Sequence, residues 1–330
     1  MALQVFTSAR AGLEATAGTG VTPTRIIYGQ EFTHEQLVAT IRPEELRNNY
    51  EGFWQAAAGK EENTFRMSGR ASFDDLVWHY NMFIAPLGTA SGTASSAYTF
   101  TFTPSGTADN VKRASIQLGY ADTIATAPGV SLVGVTGDTM HLHWEKNDDG
   151  ALMFDTTYKS IGTATQITAF TGSLTDRTTT PVSMNKTVVT LDASTIGSTA
   201  DSNVVAVDWT LNLNPVPFYA LNNTAGASAM YRPAHRTWTA TITRQYANDT
   251  EWDIYQSKAE RKVRILSIGP ALSGTFYTSE LDLYGVYTNR TWSEVDGIIT
   301  EELTLEPYVD TAAGTISFAA RVITSAGTLT

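Results

Sequence analysis

Five histidines are the first place to look for chemistry: His34, His79, His141, His143 and His235. His141 and His143 alternate within a strand-like run, so both imidazoles project from one side, as a shared metal ion would need. Only Asp138 and Glu145 stand close by, and no other His or carboxylate follows at ligand spacing. The expectation is therefore an exposed or interface pair and no metal centre. His79, between Trp78 and Tyr80 in a helical pattern, reads as packed. Asn147-Asp148-Asp149-Gly150 has the acidic look of a calcium loop but lacks its spacing and terminal Glu, which leaves a hairpin turn. No nucleophile elbow, phosphate loop or helix with paired carboxylates occurs. The chain has no Cys, which excludes disulfides, thiolate metal sites and cysteine nucleophiles. These readings point away from an enzyme and imply no cofactor.

The elements that position these residues follow from composition and pattern. The 330 residues carry 22 Lys and Arg against 33 Asp and Glu, a net charge of −11. Such a field repels polyanions, so affinity for nucleic acid is not expected. Charged residues are 17% and hydrophobic ones 42%, and the chain is rich in Thr, a composition suited to half-buried pleated surfaces. Met1 to Gly20 holds no apolar run of signal-peptide length and no segment approaches a membrane span, so the expectation is a protein made in the cytosol with no membrane partner. Segments rich in Gly, Ala, Ser and Thr, at 7–20, 88–97, 163–180 and 193–202, read as loops or arms.

An internal repeat organises the rest. Ser131, Gly137 and Trp144 are matched at constant spacing by Ser279, Gly285 and Trp292. Asp149-Gly150 and Asp296-Gly297 follow, each between two β-like runs, as a tight hairpin prefers. Both halves then end in a strand, Ala151 to Lys159 and Ile298 to Pro307. Upstream, Thr64 to Phe73 alternates with period two and leads into a helix over Asp74 to Ile84, capped by Asp74 or Asp75 and ended by Pro86. In the second half Arg236 to Arg244 alternates likewise and leads into a helix from Asn248 or Asp249 to about Lys258. Val111 to Tyr120 and Arg261 to Gly269 follow the helices as strands. Glu35 to Leu46 and Asn203 to Pro215 precede them, the latter with Val207, Trp209 and Leu211 on one side and Asp208, Thr210 and Asn212 on the other. The duplication boundary falls between Ser160 and Thr180.

Taken together, the sequence resembles siphophage major tail tube proteins, with the tube domain present twice. The resemblance rests on Val21-Thr22-Pro23-Thr24-Arg25, on the run to Arg42, Glu45, Leu46 and Arg47, on Met67-Ser68-Gly69-Arg70 leading into a helix, and on Tyr98-Thr99-Phe100-Thr101-Phe102-Thr103-Pro104. It covers about Gly18 to Val309. It implies a mainly β fold of two tandem β-sandwich or half-barrel domains, each with one short flanking α-helix and a long lining hairpin. The division is residues 1–165 with an N-terminal arm, 166–308, and a C-terminal arm at 309–330.

By the same resemblance, the function is structural: subunits self-assemble into stacked rings forming the tail tube of a virion. Its partners are further copies of itself, a tape measure protein in the lumen, tail terminator and tail tip proteins, and double-stranded DNA in transit. Lining candidates are Asp208, Thr210, Asn212, Thr237, Thr239, Thr241 and Thr243 in the second hairpin and Gln36, Thr40 and Ser68 in the first. Ring-to-ring candidates are Asn49, Glu51, Phe53, Trp54, Lys60, Glu61 and Glu62, within the loop Asn48 to Asn63. A second such loop spans Ala220 to His235. Two domains per chain imply a trimeric ring with pseudo-sixfold symmetry. A conduit for DNA favours a neutral or acidic wall, because rows of Lys and Arg bind phosphates. Arg66 and Arg70 conflict with that unless they pair with Glu35 or with acidic residues of a neighbour. The alternative is a non-enzymatic β-sandwich, a decoration or carbohydrate-binding module in which Trp54, Trp144 or Trp292 stacks on a sugar.

Overall fold

The computed structural model describes residues 4–16, 18–41, 57–85, 97–104, 112–119, 129–145, 150–171, 174, 179–220, 226–231, 236–295, 297–308 and 316–325. It is mainly β, as composition and alternation require. The first half contains β1 (Gln4–Phe6), β2 (Ser8–Leu13), β3 (Arg25–Ile27), β4 (Glu31–Ile41), β5 (Ala57–Arg70), helix α1 (Phe73–Phe83), β6 (Tyr98–Phe102), β7 (Ala114–Gly119), β8 (Gly129–Glu145) and β9 (Met153–Ile167). A 3-10 turn at Met184–Lys186 leads into the second half. There follow β10 (Thr187–Asp192), β11 (Val204–Asn212), β12 (Val216–Phe218), β13 (Ala229–Tyr231), β14 (Thr237–Gln245), helix α2 (Thr250–Ser257), β15 (Glu260–Leu272), β16 (Thr275–Val295), β17 (Ile298–Pro307) and β18 (Phe318–Thr324).

Sixteen strands form one sheet, whose main path runs β1-β4-β5-β9-β8-β11-β14-β17-β16-β15-β10. Every ladder is antiparallel, and the partners come in the same order twice. In the first half β4 pairs β5, β5 pairs β9, β9 pairs β8, β8 pairs β7 and β7 pairs β2. In the second, β11 pairs β14, β14 pairs β17, β17 pairs β16, β16 pairs β15 and β15 pairs β10. The hairpin glycines Gly150 and Gly297 both take positive φ, 64° and 77°, the conformation that glycine reaches without steric cost. Their ladders carry a bulge at nearly matching points, between Gly137 and Thr139 and between Tyr287 and Asn289. The two halves join where β11 lies on β8.

Alternation places Phe65, Met67, Phe154, Tyr158, Leu142, Trp144, Trp209, Leu211, Trp238, Ile242, Leu303 and Leu305 on the apolar side, all buried. The sheet turns back over this side in the manner of a β-sandwich, with α1 enclosed by β8, β16, β18 and β6. All eleven residues of α1 are buried. Its cap is Ser72, two or three residues before the acidic residues the sequence suggested: the Ser72 hydroxyl accepts from the Asp75 amide at 3.1 Å. Asp74 and Asp75 are instead tied to Arg25, whose Nη2 donates to the Asp74 carbonyl at 3.0 Å. Helix α2 buries only Glu251 and ends at Lys258 in the left-handed region.

Three expectations about organisation change. Residues 7–20, read as a loop or arm, contain β2, whose Ala9 and Ala11 are fully buried; small side chains there serve close packing rather than disorder, and Gly12 leaves only 2.8 Å between an added Cβ and the Thr22 carbonyl. The division at residue 165 cuts β9, which runs to Ile167. The segment assigned to a C-terminal arm contributes β18, which pairs β16 just below the stretch taken by β17, and pairs β6 on its other edge. β18 is thus the resumption of β17, in the place that the unbroken β9 fills in the first half. Among the described residues no helix is long and apolar enough to cross a membrane.

Candidate functional site

Residues directly opposite in an antiparallel ladder share a face, so the registers trace the polar side strand by strand. Glu31, Thr33 and Glu35 of β4 face Ser68, Arg66 and Thr64 of β5. Those face Asp155, Thr157 and Lys159 of β9, and β9 faces His141 and Thr139 of β8. Across the junction His143, His141 and Thr139 face Asp208, Thr210 and Asn212 of β11. These meet Thr241, Thr239 and Thr237 of β14. Thr241 and Thr243 then meet Thr304 and Glu302 of β17, which meet Asn289 and Thr291 of β16. The result is one polar face over eight consecutive strands, and it is concave around Glu31, Thr33, Glu35, Thr64, Arg66 and Thr157.

The ladder also advances. The row that begins at Glu31 passes Ser68 and Asp155 to His141 and continues to Thr210. The row through Asp208 passes Thr241 and Thr304 to Asn289. Asp208 thus holds in the second half the place of Glu31 in the first, and the row arriving from Glu31 meets β11 two residues further on.

Most of the predicted lining residues fall on this face: Asp208, Thr210, Asn212, Thr237, Thr239, Thr241, Thr243 and Ser68. Gln36 does not, because it opposes Asn63 on the side of buried His34 and Phe65. Glu31, Thr33 and Glu35 take its place, one residue out of phase with the reading. Thr40 pairs Ala58 beyond a bulge. The Arg66 conflict resolves within the chain. Its Nε donates to Asp155 Oδ1 at 2.8 Å and its Nη2 to Asp155 Oδ2. Asp155, with a smaller contribution from Glu31, raises the Arg66 pKa. Lys159 is likewise held by Asp138 at 3.2 Å. Arg70 lies on the same face, exposed and opposite Met153; with Arg66 and Lys159 paired to carboxylates and Glu31 and Glu302 exposed, the face is neutral to acidic.

At the β8 and β11 junction, Asp208 lies between the two histidines. His141 Nε2 is 3.0 Å and His143 Nδ1 2.7 Å from the same Asp208 oxygen, and His143 Nε2 is 3.1 Å from Glu145. A ring with carboxylates at both nitrogens can donate to both only as the imidazolium, the form this geometry favours. Burial works against that charge, but Asp208 and Glu145 outweigh it and raise the His143 pKa. Burial of Asp208 is in turn outweighed by His141 and His143, which lower its pKa. Among the described residues no group of three or more His, Asp or Glu is arranged to hold a metal ion. The cluster is a charged clasp between the halves. Alternation put both histidines on one side, but nothing in the sequence tells which strand lies beside them, so Asp208 as their partner was not legible. Buried His79 is packed, 4.5 Å from the Phe154 ring centroid and 3.2 Å from the Tyr158 hydroxyl; burial, with the Arg25 charge, lowers its pKa to about 3.

Of the ring-to-ring candidates, Asn49, Glu51, Phe53 and Trp54 lie outside the described residues. Lys60, Glu61 and Glu62 sit on β5, which starts at Ala57, so they belong to a strand and not to the predicted loop. Lys60 pairs Glu62 at 2.7 Å. Glu61 is buried and accepts from Asn63 Nδ2 and the Ala164 amide, each at 2.7 Å. The described part of the second loop, 226–231, docks on the first half: Gly162 donates to the Ala227 carbonyl at 2.8 Å, and Arg113 to that of Met230 at 2.9 Å. The aromatic alternative finds Trp54 undescribed and Trp144 buried. Trp292 is 50% exposed, with Arg290 4.0 Å and Tyr246 4.8 Å from its ring.

The chain matches no protein-family model and no curated protein sequence.

Proposed function

We propose that this chain is the repeating structural subunit of a tube that conducts double-stranded DNA, a tail tube protein with two tube domains in tandem. The observation that carries the reading is the polar face over eight strands, on which Arg66 and Lys159 are each matched by a carboxylate of the same chain. A wall of this kind offers phosphates no row of free cations, so a duplex slides with few counterions to displace. The repeated pairing order supports duplication, and a chain with two equivalent halves builds a trimeric ring with six similar lobes. Copies of itself, a tape measure protein in the lumen, and terminator and tip proteins are its partners.

Electron microscopy of the concentrated protein tests this. Stacked rings with threefold symmetry and six lobes are expected. Six whole chains per ring would refute the trimer, and a chain that stays monomeric and is retained by glycans would favour a binding module. Within assembled tails, Thr239→Lys with Thr241→Lys should leave assembly intact and slow genome release. Unchanged release kinetics would sink the electrostatic argument.

A further inference from the structure

The junction inside the chain shows how the edge of one half receives the other. On β8, residues 139–145 carry β11 in seven residue pairs, with Asp208 opposite His143. By the rows traced above, β16 stands to the second half as β8 does to the first, and β4 stands as β11. Yet β15 leaves β16 after Val286, and among the described residues no strand continues along that edge beside Thr288 to Glu294. At the other end of the sheet, the outer edge of β4 bears, among the described residues, only β1, in three pairs, Gln4 with His34, Val5 with Thr33 and Phe6 with Phe32. β1 runs antiparallel to β4, as β8 does to β11.

We propose that β1 is a removable guard, which holds in the free chain the β4 edge that β16 of a second copy takes on assembly, with Glu31 of one copy opposite Thr291 of the next. The inference rests on the tube reading and adds to it the register and the exchange. Its direction follows from ladder length, since three residue pairs are given up for a ladder that the internal template makes seven pairs long. Unpaired sheet edges invite indiscriminate pairing and are blunted by short covering strands or by Lys. Both devices are present: β1 covers β4, and Lys258 Nζ donates to the Tyr287 carbonyl at 2.9 Å where β15 stops. The partner that fits is a second copy, because the two open edges belong to opposite ends of one sheet and have the same relation that β8 and β11 already satisfy.

The chain lacks Cys, so introduced thiols are the only ones, and residues opposite in an antiparallel ladder are within disulfide reach. Val5→Cys with Thr33→Cys staples β1 in place. Once the disulfide has formed and a cooperative melt shows the fold intact, the oxidised protein should remain monomeric by light scattering, and reductant should restore assembly. A chain lacking residues 1–5 should assemble sooner than the parent. Glu31→Cys with Thr291→Cys should yield a disulfide between chains within the rings. An oxidised staple that assembles as readily as the reduced form overturns the guard. Rings that form normally but never give the Glu31 to Thr291 crosslink overturn the register and leave the tube reading standing. If neither the parent nor the shortened chain forms rings, the tube reading falls and the guard with it.

Discussion

The two halves share a pairing order and differ in what holds their helices. α1 is enclosed on all sides, its Phe83 ring 5.1 Å from Tyr158 and seated where Gly137 has no side chain. α2 lies on the outside and is anchored by charge. Glu251 accepts from Arg261 Nε at 3.1 Å and from the Tyr287 hydroxyl at 2.8 Å. Beside it Arg244 pairs Glu301 at 3.2 Å and Asp201 at 3.1 Å. The matched tryptophans show the same divergence: Trp144 is buried beneath the junction, whereas Trp292 is half exposed at the open end of β16. One topology therefore does not dictate one kind of core. What differs is which neighbour covers each face, and the first half is covered by the second.

The comparison breaks most sharply at the helices. Phe83→Ala should cost about 3–5 kcal/mol and Tyr255→Ala on α2 less than about 1 kcal/mol, read from chemical denaturation; equal losses would mean α2 is as deeply packed as α1. Glu251→Gln removes the charge but keeps the shape, and should cost about 1–3 kcal/mol as Arg261 loses its partner. A neutral result would deny the charged anchorage. At the contact where the second half reaches the first, a Cβ on Gly226 would lie 2.0 Å from the Gly162 carbonyl carbon. Gly226→Ala should lift that segment for about 1 kcal/mol and speed amide exchange at Gly162, whose protection would otherwise persist.

The smallest effect concerns the clasp at the junction. The His143 pKa is raised from 6.5, so its contribution is complete below 6.5 and fades as pH climbs through the raised value. Asp208 is lowered from 3.8, so its contribution is present above 3.8 and is lost only as pH falls through the lowered value. His143→Gln should therefore reduce the unfolding free energy more at pH 5 than at pH 8, by less than about 1 kcal/mol for partly exposed groups, read from chemical denaturation at the two pH values. A difference that grows towards pH 8 would contradict the assignment of an imidazolium.

Legibility followed the range of the interaction. Alternation in Arg236 to Arg244 and in Asn203 to Pro215 depends on neighbours along the chain, and those strands stand close to where the pattern put them. The polar side of β14 was readable for the same reason. Gln36 lies one residue out of phase with Glu31, Thr33 and Glu35, which face the polar side, and a strand of period two gives no margin for a phase error. Asp155 beside Arg66, Asp208 beside His143, and β18 beside β16 are contacts between distant segments, on which local pattern is silent. Trp144 and Trp292 show the limit of the repeat itself, since equal spacing says nothing about burial.

The two-residue advance of the ladder between halves has a geometric result. Each half moves a row about 6–7 Å along the strands, and closure by repetition of the same step would incline every strand to the axis. On the tube reading, a bore closed in this way would be rifled, with its acidic, amide and hydroxyl groups along oblique threads and not in bands or straight files.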